Sequence, residues 1–144
     1  MSNRSLTVLG TLLAIVAVLY ACQGEEAIRK AQYYTNGQKL YAQRCQNCHG
    51  SNGEGLGQLY PPLSDTIYLA GNLNKVACMI KFGSNETIEV LGKIYDSEMP
   101  PNKDLTDQDI AYIMTYIGNS FGNELGWIKT EEVTNSLAAC NKGD

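Results

Sequence analysis

Histidine occurs once in the 144 residues, as His49, and a single CxxC spacing is present, from Cys45 to Cys48. A structural zinc site takes four cysteine or histidine ligands, so a lone histidine without a second CxxC excludes one. No run of like charge is present, which excludes a charged disordered tail. The basic residues are scattered against a net charge of −4, which excludes a nucleic-acid surface and speaks against a polyanionic partner. There is no internal repeat and no βαβ alternation, the setting in which a CxxC pair acts as a thioredoxin-like couple. No acid/base pair or activated nucleophile stands out, so no small-molecule substrate is expected; Glu54, Asp65 and Glu98 each sit in a polar loop and read as solvated. What remains is an ordinary globular composition, 44% apolar and 18% charged, enough for one compact domain. A domain of this size gains stability from a bound apolar cofactor.

Residues 1–22 stand apart from the fold. Arg4 precedes an apolar stretch from Leu6 to Tyr20, the layout of an export signal. The stretch ends in Leu19-Tyr20-Ala21-Cys22, which resembles a bacterial lipobox, so Cys22 is expected to be acylated and to tether the chain to a membrane on its extracytoplasmic side, facing the periplasm. The rival reading is an uncleaved anchor, since the run falls only slightly short of the roughly 18 to 20 residues of a spanning helix. Either reading leaves the domain in an oxidising compartment.

Residues 23–34 are polar and read as a linker, with a domain over 35–121 and a C-terminal extension over 122–144 packed on it. Asn36 is a good cap, and Tyr41, Cys45 and Cys48 follow at i, i+4 and i+7, which places both cysteines on one helical face ending near His49-Gly50. Residues 50–66 hold four glycines and a Pro-Pro pair and describe a loop wrapped around something. Asn72 or Asn74 is expected to cap a helix through Phe82, with Gly83 as its stop and Val76, Met79 and Ile80 on its apolar side. Residues 88–95 read as a hairpin or an irregular loop. Met99-Pro100-Pro101 cannot be helical. The strongest helix follows: Thr106 caps, Asp107 and Asp109 suit the positive end, and Ile110, Ile113, Met114, Ile117 and Phe121 form one stripe. Thr130 opens a last short helix whose Val133, Leu137 and Cys140 share a face.

Cys45-Gln46-Asn47-Cys48-His49 is the C-x-x-C-H pattern of covalent haem attachment. Two thiols three positions apart on one helical turn can both reach the vinyl groups of a haem, while the adjacent imidazole points at the iron. A chance match or a plain disulfide between Cys45 and Cys48 is the alternative. Met79, Met99 and Met114 are the candidates for a second axial ligand. Met114 sits in an apolar stripe, and Met79 on a helix face, so both have packing explanations; Met99 lies in a stiff loop.

With Tyr41 to Gly50, the PPL at 61–63, Met99-Pro100-Pro101 and the helix 109–119, the chain resembles the class I cytochrome c family over about residues 36–121. The resemblance implies an all-α fold, three core helices around one haem with long loops, to which the chain adds a short C-terminal helical extension. It implies one covalent haem c on Cys45 and Cys48, His49 as proximal ligand, and Pro61 as the residue whose carbonyl accepts from the imidazole. It implies Met99 as sixth ligand, raising the potential because a thioether favours ferrous iron. Gly37 and Tyr41 match the glycine and aromatic at the helix crossing, with Ile113 and Tyr116 as partners. Cys78 and Cys140 are then left over, and in an oxidising compartment they are expected to pair; two buried free thiols are the alternative.

The function expected is single-electron transfer between respiratory redox proteins at the membrane surface, by a carrier and not an enzyme. A dedicated haem subunit of an oxidase or reductase complex is the alternative, and a ligand-binding haem sensor is a further one. Lys39, Lys75, Lys81, Lys93 and Lys103 are available to a docking ring, although the acidic balance gives no strongly basic face.

Overall fold

The computed structural model describes residues 3–140, apart from the side chains of 3–6 and 19–23. The acylation expected at Cys22 therefore concerns a side chain outside those described. The chain divides into two units, Met1–Gln32 and Tyr33–Asp144. Six helices and one two-stranded hairpin occur among the described residues: α1 (Asn3–Arg44), α2 (Gln46–His49), α3 (Thr66–Gly71), α4 (Leu73–Phe82), β1 (Ile88–Val90), β2 (Lys93–Tyr95), α5 (Asp107–Ile117) and α6 (Thr130–Cys140).

In the first unit, Val8, Leu12, Ile15 and Val18 are all exposed, and among the described residues no helix is long and apolar enough to cross a membrane. The polar stretch 23–34 is helical, which corrects the expected start at Asn36. Glu25, Glu26, Ala27, Arg29 and Lys30 are good helix formers, and Glu26 pairs with Lys30 one turn on at 3.2 Å. With a helix already running, Asn36 has no free N-terminus to cap.

In the second unit the core lies where α1, α4, α5 and α6 meet. Tyr41, Ile110, Ile113 and Val133 are fully buried, each contributing about 1.5–3 kcal/mol through its buried apolar surface. α5 forms as its sequence dictates. Thr106 accepts from the Asp109 amide, and the Asp109 carboxylate takes the Thr106 amide in return, a reciprocal cap at the positive end of the helix. Its stripe Ile110, Ile113, Met114 and Ile117 is buried. Phe121 is not on that stripe: the helix ends at Gly118, the chain turns, and Phe121 sits at φ 60 with its ring against Tyr41 and Tyr116. Gly37 lies where α1 crosses α5; a Cβ there would overlap the Tyr112 carbonyl and stand 2.8 Å from Cβ of Tyr116.

α4 ends at Gly83, and its inner face presents Val76, Ala77 and Ile80 to the core. β1 and β2 pair antiparallel, with Ile88 opposite Tyr95 and Val90 opposite Lys93. α3 has no counterpart in the sequence reading; Asp65 caps it by accepting from the Tyr68 amide at 3.0 Å. The extension packs on the domain, with α6 against both α4 and α5. A Cys78–Cys140 disulfide joins α4 to α6, with Cα atoms 6.0 Å apart. Ser136 adds a hydrogen bond to Asn74, and Tyr33 meets Thr130 at 2.7 Å while its ring contacts Trp127.

Candidate cofactor site

Cys45, Cys48 and His49 come together at the short junction between α1 and α2. Cys45, at φ −118 and ψ −38, stays in the right-handed helical region; its amide reaches the Tyr41 carbonyl at 2.9 Å, and the His49 amide reaches the Cys45 carbonyl at 2.9 Å. The helical path therefore carries through the turn, and the CxxCH segment keeps the facing that its spacing implies. Immediately beyond, Tyr41 donates its hydroxyl to the Gly50 carbonyl at 2.6 Å, tying the loop after the motif back to α1. Burial pushes the Tyr41 phenol well above its usual range, so it remains a donor.

The loop then folds back on His49. The Gly55 amide donates to the His49 carbonyl at 2.8 Å and the Leu63 amide to the Gly53 carbonyl at 2.8 Å. Gly55 sits at φ 71 against the backbone of Tyr60 and Pro61, where any Cβ would collide. That turn brings the Pro61 carbonyl to 3.0 Å from Nδ1 of His49. A carbonyl only accepts, so Nδ1 carries the proton and Nε2 keeps its lone pair. Burial lowers the pKa of the imidazole, outweighing the opposing effect of the Pro61 hydrogen bond, and holds the ring neutral at neutral pH.

All three motif residues line one apolar cavity, partly open to solvent, the concave apolar setting in which cofactors bind. Its walls come from Leu69 of α3, Val76, Met79 and Ile80 of α4, and Ile113 and Ile117 of α5. Met99 lines it too, and its backbone is pinned by a reciprocal pair with Ser84, at 2.8 and 2.9 Å. Of the three methionines, Met114 is 2% exposed in the core and does not border the cavity, whereas Met79 does. Pro61 borders it as well. The hairpin contributes Ile88 and Tyr95, two wall residues that the weak pattern of 88–95 did not disclose.

The donor set suits a haem. Two free thiols and a neutral imidazole stand at the wall of an apolar slot, with a thioether in the same slot. It does not suit a dithiol redox couple: burial and the neighbouring Cys48 push the Cys45 thiol up to about 11, the reverse of the lowered value that makes a reactive thiolate. No cluster of three histidine, cysteine or carboxylate groups able to hold a bare metal ion exists among the described residues.

Of the three carboxylates singled out in the sequence, two have local structural partners and the third, Glu98, borders the cavity. Asp65 caps α3, and the Glu54 carboxylate accepts from the Asn52 amide at 2.7 Å. Of the five lysines available for docking, Lys75 is paired with Glu86 and Lys81 donates to the carbonyls of Lys103 and Leu105.

The chain matches the family model described as cytochrome c over residues 34–120. It is 30% identical over 92 residues to cytochrome c-552 of Thermus thermophilus, covering 61% of this chain and 70% of that protein. A second Thermus thermophilus cytochrome c-552 is also 30% identical over 92 residues, with 61% of this chain and 62% of that protein covered. The fructose dehydrogenase cytochrome subunit of Gluconobacter japonicus is 32% identical over 106 residues, which span 69% of this chain but 21% of that subunit.

Proposed function

The chain belongs to the cytochrome c family and carries a covalently bound c-type haem, and from that premise we propose that it relays single electrons between respiratory redox proteins at the outer face of a membrane. The observation that carries this reading is the shared cavity: His49, Cys45, Cys48 and Met99 all border one apolar slot. In it Cys45 and Cys48 would form the thioether links, Nε2 of His49 would take the proximal position and the Met99 sulfur the distal one. The haem supplies one-electron redox chemistry; the chain supplies its ligands, its exclusion of water and its potential. The Pro61 carbonyl acts through His49, fixing the ring plane and strengthening Nε2 as a donor.

With protein ligands on both axial positions no site is left for a substrate, which supports a carrier over an enzyme and over a gas-binding sensor. Residues 1–22 would export the chain, acylation at Cys22 would hold it at the membrane, and 23–34 would join that anchor to the haem domain. The absorption spectrum of the purified protein tests the reading. A reduced c-type spectrum with a ferric sulfur-to-iron band is expected, and rapid carbon monoxide binding to the native ferrous form at neutral pH would sink it.

The match to a dehydrogenase cytochrome subunit favours a second reading, a dedicated haem subunit of a larger enzyme. Stoichiometric co-purification with an oxidoreductase from gently solubilised membranes separates it from a freely exchanging carrier.

A further inference from the structure

The Pro61 carbonyl that receives Nδ1–H of His49 belongs to a segment that cannot anchor itself. Pro61 and Pro62 have no amide hydrogens to donate, so the first fixed point after the acceptor is Leu63. The Leu63 amide donates to the Gly53 carbonyl at 2.8 Å, and the Leu63 carbonyl receives the side chain of Asn123 at 2.7 Å.

Asn123 is 3% exposed and uses its side-chain amide in three directions. Nδ2 donates to the Leu63 carbonyl and to the Ile117 carbonyl at the end of α5, at 2.7 and 2.8 Å, and Oδ1 accepts from the Thr66 hydroxyl at the start of α3, at 2.7 Å. Both donor hydrogens and the acceptor oxygen are engaged, and one side chain joins the loop below His49 to α3 and α5. It is delivered by the turn after α5, where Phe121 at φ 60 lays its ring over Gly53, the partner of the Leu63 amide. A bulky residue holds a positive φ only where its surroundings over-determine it. Asn123 lies just past the segment shared with the family, which ends at residue 120, so this anchor is supplied by the chain's own extension.

We propose that Asn123 is a positioning residue for the cofactor: it holds the Pro61 carbonyl on His49 and through that hydrogen bond sets the reduction potential. The assignment rests on the reading of His49 as the proximal ligand. A carbonyl held on Nδ1–H makes Nε2 a stronger donor, and a stronger donor favours ferric iron. Only Pro62 separates the acceptor from the anchored residue, and the ring of Pro62 fixes its φ, so a displacement of Leu63 passes to Pro61. Loss of the Asn123 amide therefore weakens the bond at Nδ1 and raises the potential.

The test compares variants of the holoprotein. Asn119, in the same turn, also makes three side-chain hydrogen bonds, to the Thr115 carbonyl and to the carbonyl and amide of Gly126, and none of them reaches the loop. Asn123→Ala and Asn119→Ala should both lose stability and keep the attached-haem spectrum. Only Asn123→Ala is expected to shift the reduction equilibrium toward ferrous iron, by roughly threefold, within the worth of one hydrogen bond, or about 28 mV at 59 mV per tenfold. In proton NMR of the diamagnetic ferrous form, Nδ1–H of His49 should exchange faster in Asn123→Ala than in the wild type, and at the wild-type rate in Asn119→Ala. Thr66→Val keeps the side-chain shape and removes the hold on Oδ1 alone, so it should move both readouts in the same direction by less. Equal potentials in wild type and Asn123→Ala, or the same shift in Asn119→Ala, overturn the assignment. Where Asn123→Ala does not fold, Thr66→Val with both readouts unchanged overturns it. A ferrous wild type without the upfield His49 ring resonances of an imidazole bound over a haem overturns the ligand reading, and the Asn123 assignment with it.

Discussion

Gly37 of α1 presses directly on the main chain of α5 at Tyr112, with no room between them for a methyl group. Two effects compete in Gly37→Ala. Alanine is the better helix former by about 1 kcal/mol, but its Cβ would have to displace the carbonyl of Tyr112 and the Cβ of Tyr116, both parts of a packed helix and neither a flexible side-chain end. Overpacking against rigid atoms costs about 1–3 kcal/mol, so clash should outweigh propensity. The variant is expected to keep the haem spectrum and lose stability, read as a lower midpoint in denaturant or on heating.

How much of this was legible in the sequence depended on whether a local signal had a distant competitor. α5 was readable because Thr106, Asp109 and the Ile110–Ile117 stripe agree, and nothing elsewhere contradicts them. Asn36 misled because a cap acts only where a helix starts, and the Glu25–Lys30 stretch carries the helix through it. α3 was missed because its one marker, Asp65, lies among prolines and glycines. Phe121 fits the helical period but falls past the turn at Gly118, where chain reversal overrides spacing. For the site, the local CxxCH motif was plain. That Met79 and Tyr95 also reach the cavity depends on how α4 and the hairpin fold around it, which no local pattern encodes.

Cys78 and Cys140 join α4 and α6 across 62 residues of chain. In the chain-entropy account, closing a loop of that length stabilises by about 4 kcal/mol, with 2–4 kcal/mol the usual yield. α6 also buries Val133 and Leu137 and donates from Ser136 to Asn74, so it should stay docked without the covalent link. The double variant Cys78→Ser/Cys140→Ser is therefore expected to fold and to hold haem normally, but to unfold about 2–4 kcal/mol earlier. Adding reductant to the wild type should reproduce the loss, and should leave the double variant unaffected.

Asp65 uses its two carboxylate oxygens on separate elements: one accepts from the Tyr68 amide in α3, the other from the Leu91 amide at the hairpin tip, where Leu91 is held at φ 50. These hydrogen bonds, Tyr68 first, lower its pKa below the usual 3.8. A depressed carboxylate stabilises the fold above its unfolded pKa and loses that contribution as pH falls through its folded pKa. Asp65→Ala should therefore cost about 1 kcal/mol at neutral pH, as a lost helix cap does. The gap between variant and wild type should close below about pH 4, read from unfolding midpoints across a pH series. A gap that stayed constant into acid would mean that the carboxylate charge contributes nothing.

Met79 and Met99 border the same cavity, but their backbones differ in a way that separates ligand from packing. Met99 sits in an extended segment clamped to Ser84 on one side and stiffened by Pro100 and Pro101 on the other, so its sulfur is held without a helix to constrain its approach. Met79 is on α4 between Cys78, tied to α6, and Ile80, buried in the core; its helix cannot shift toward iron without disturbing both. Met99→Ala should therefore abolish the ferric sulfur-to-iron band and open the ferrous iron to carbon monoxide. The potential should fall by on the order of 100 mV, within the ~0.8 V that axial ligation spans, because the lost thioether favoured ferrous iron. Met79→Ala should keep the band and lose about 2–3 kcal/mol of stability from the emptied wall. The opposite pattern, with the band lost in Met79→Ala and kept in Met99→Ala, would assign the sixth position to α4.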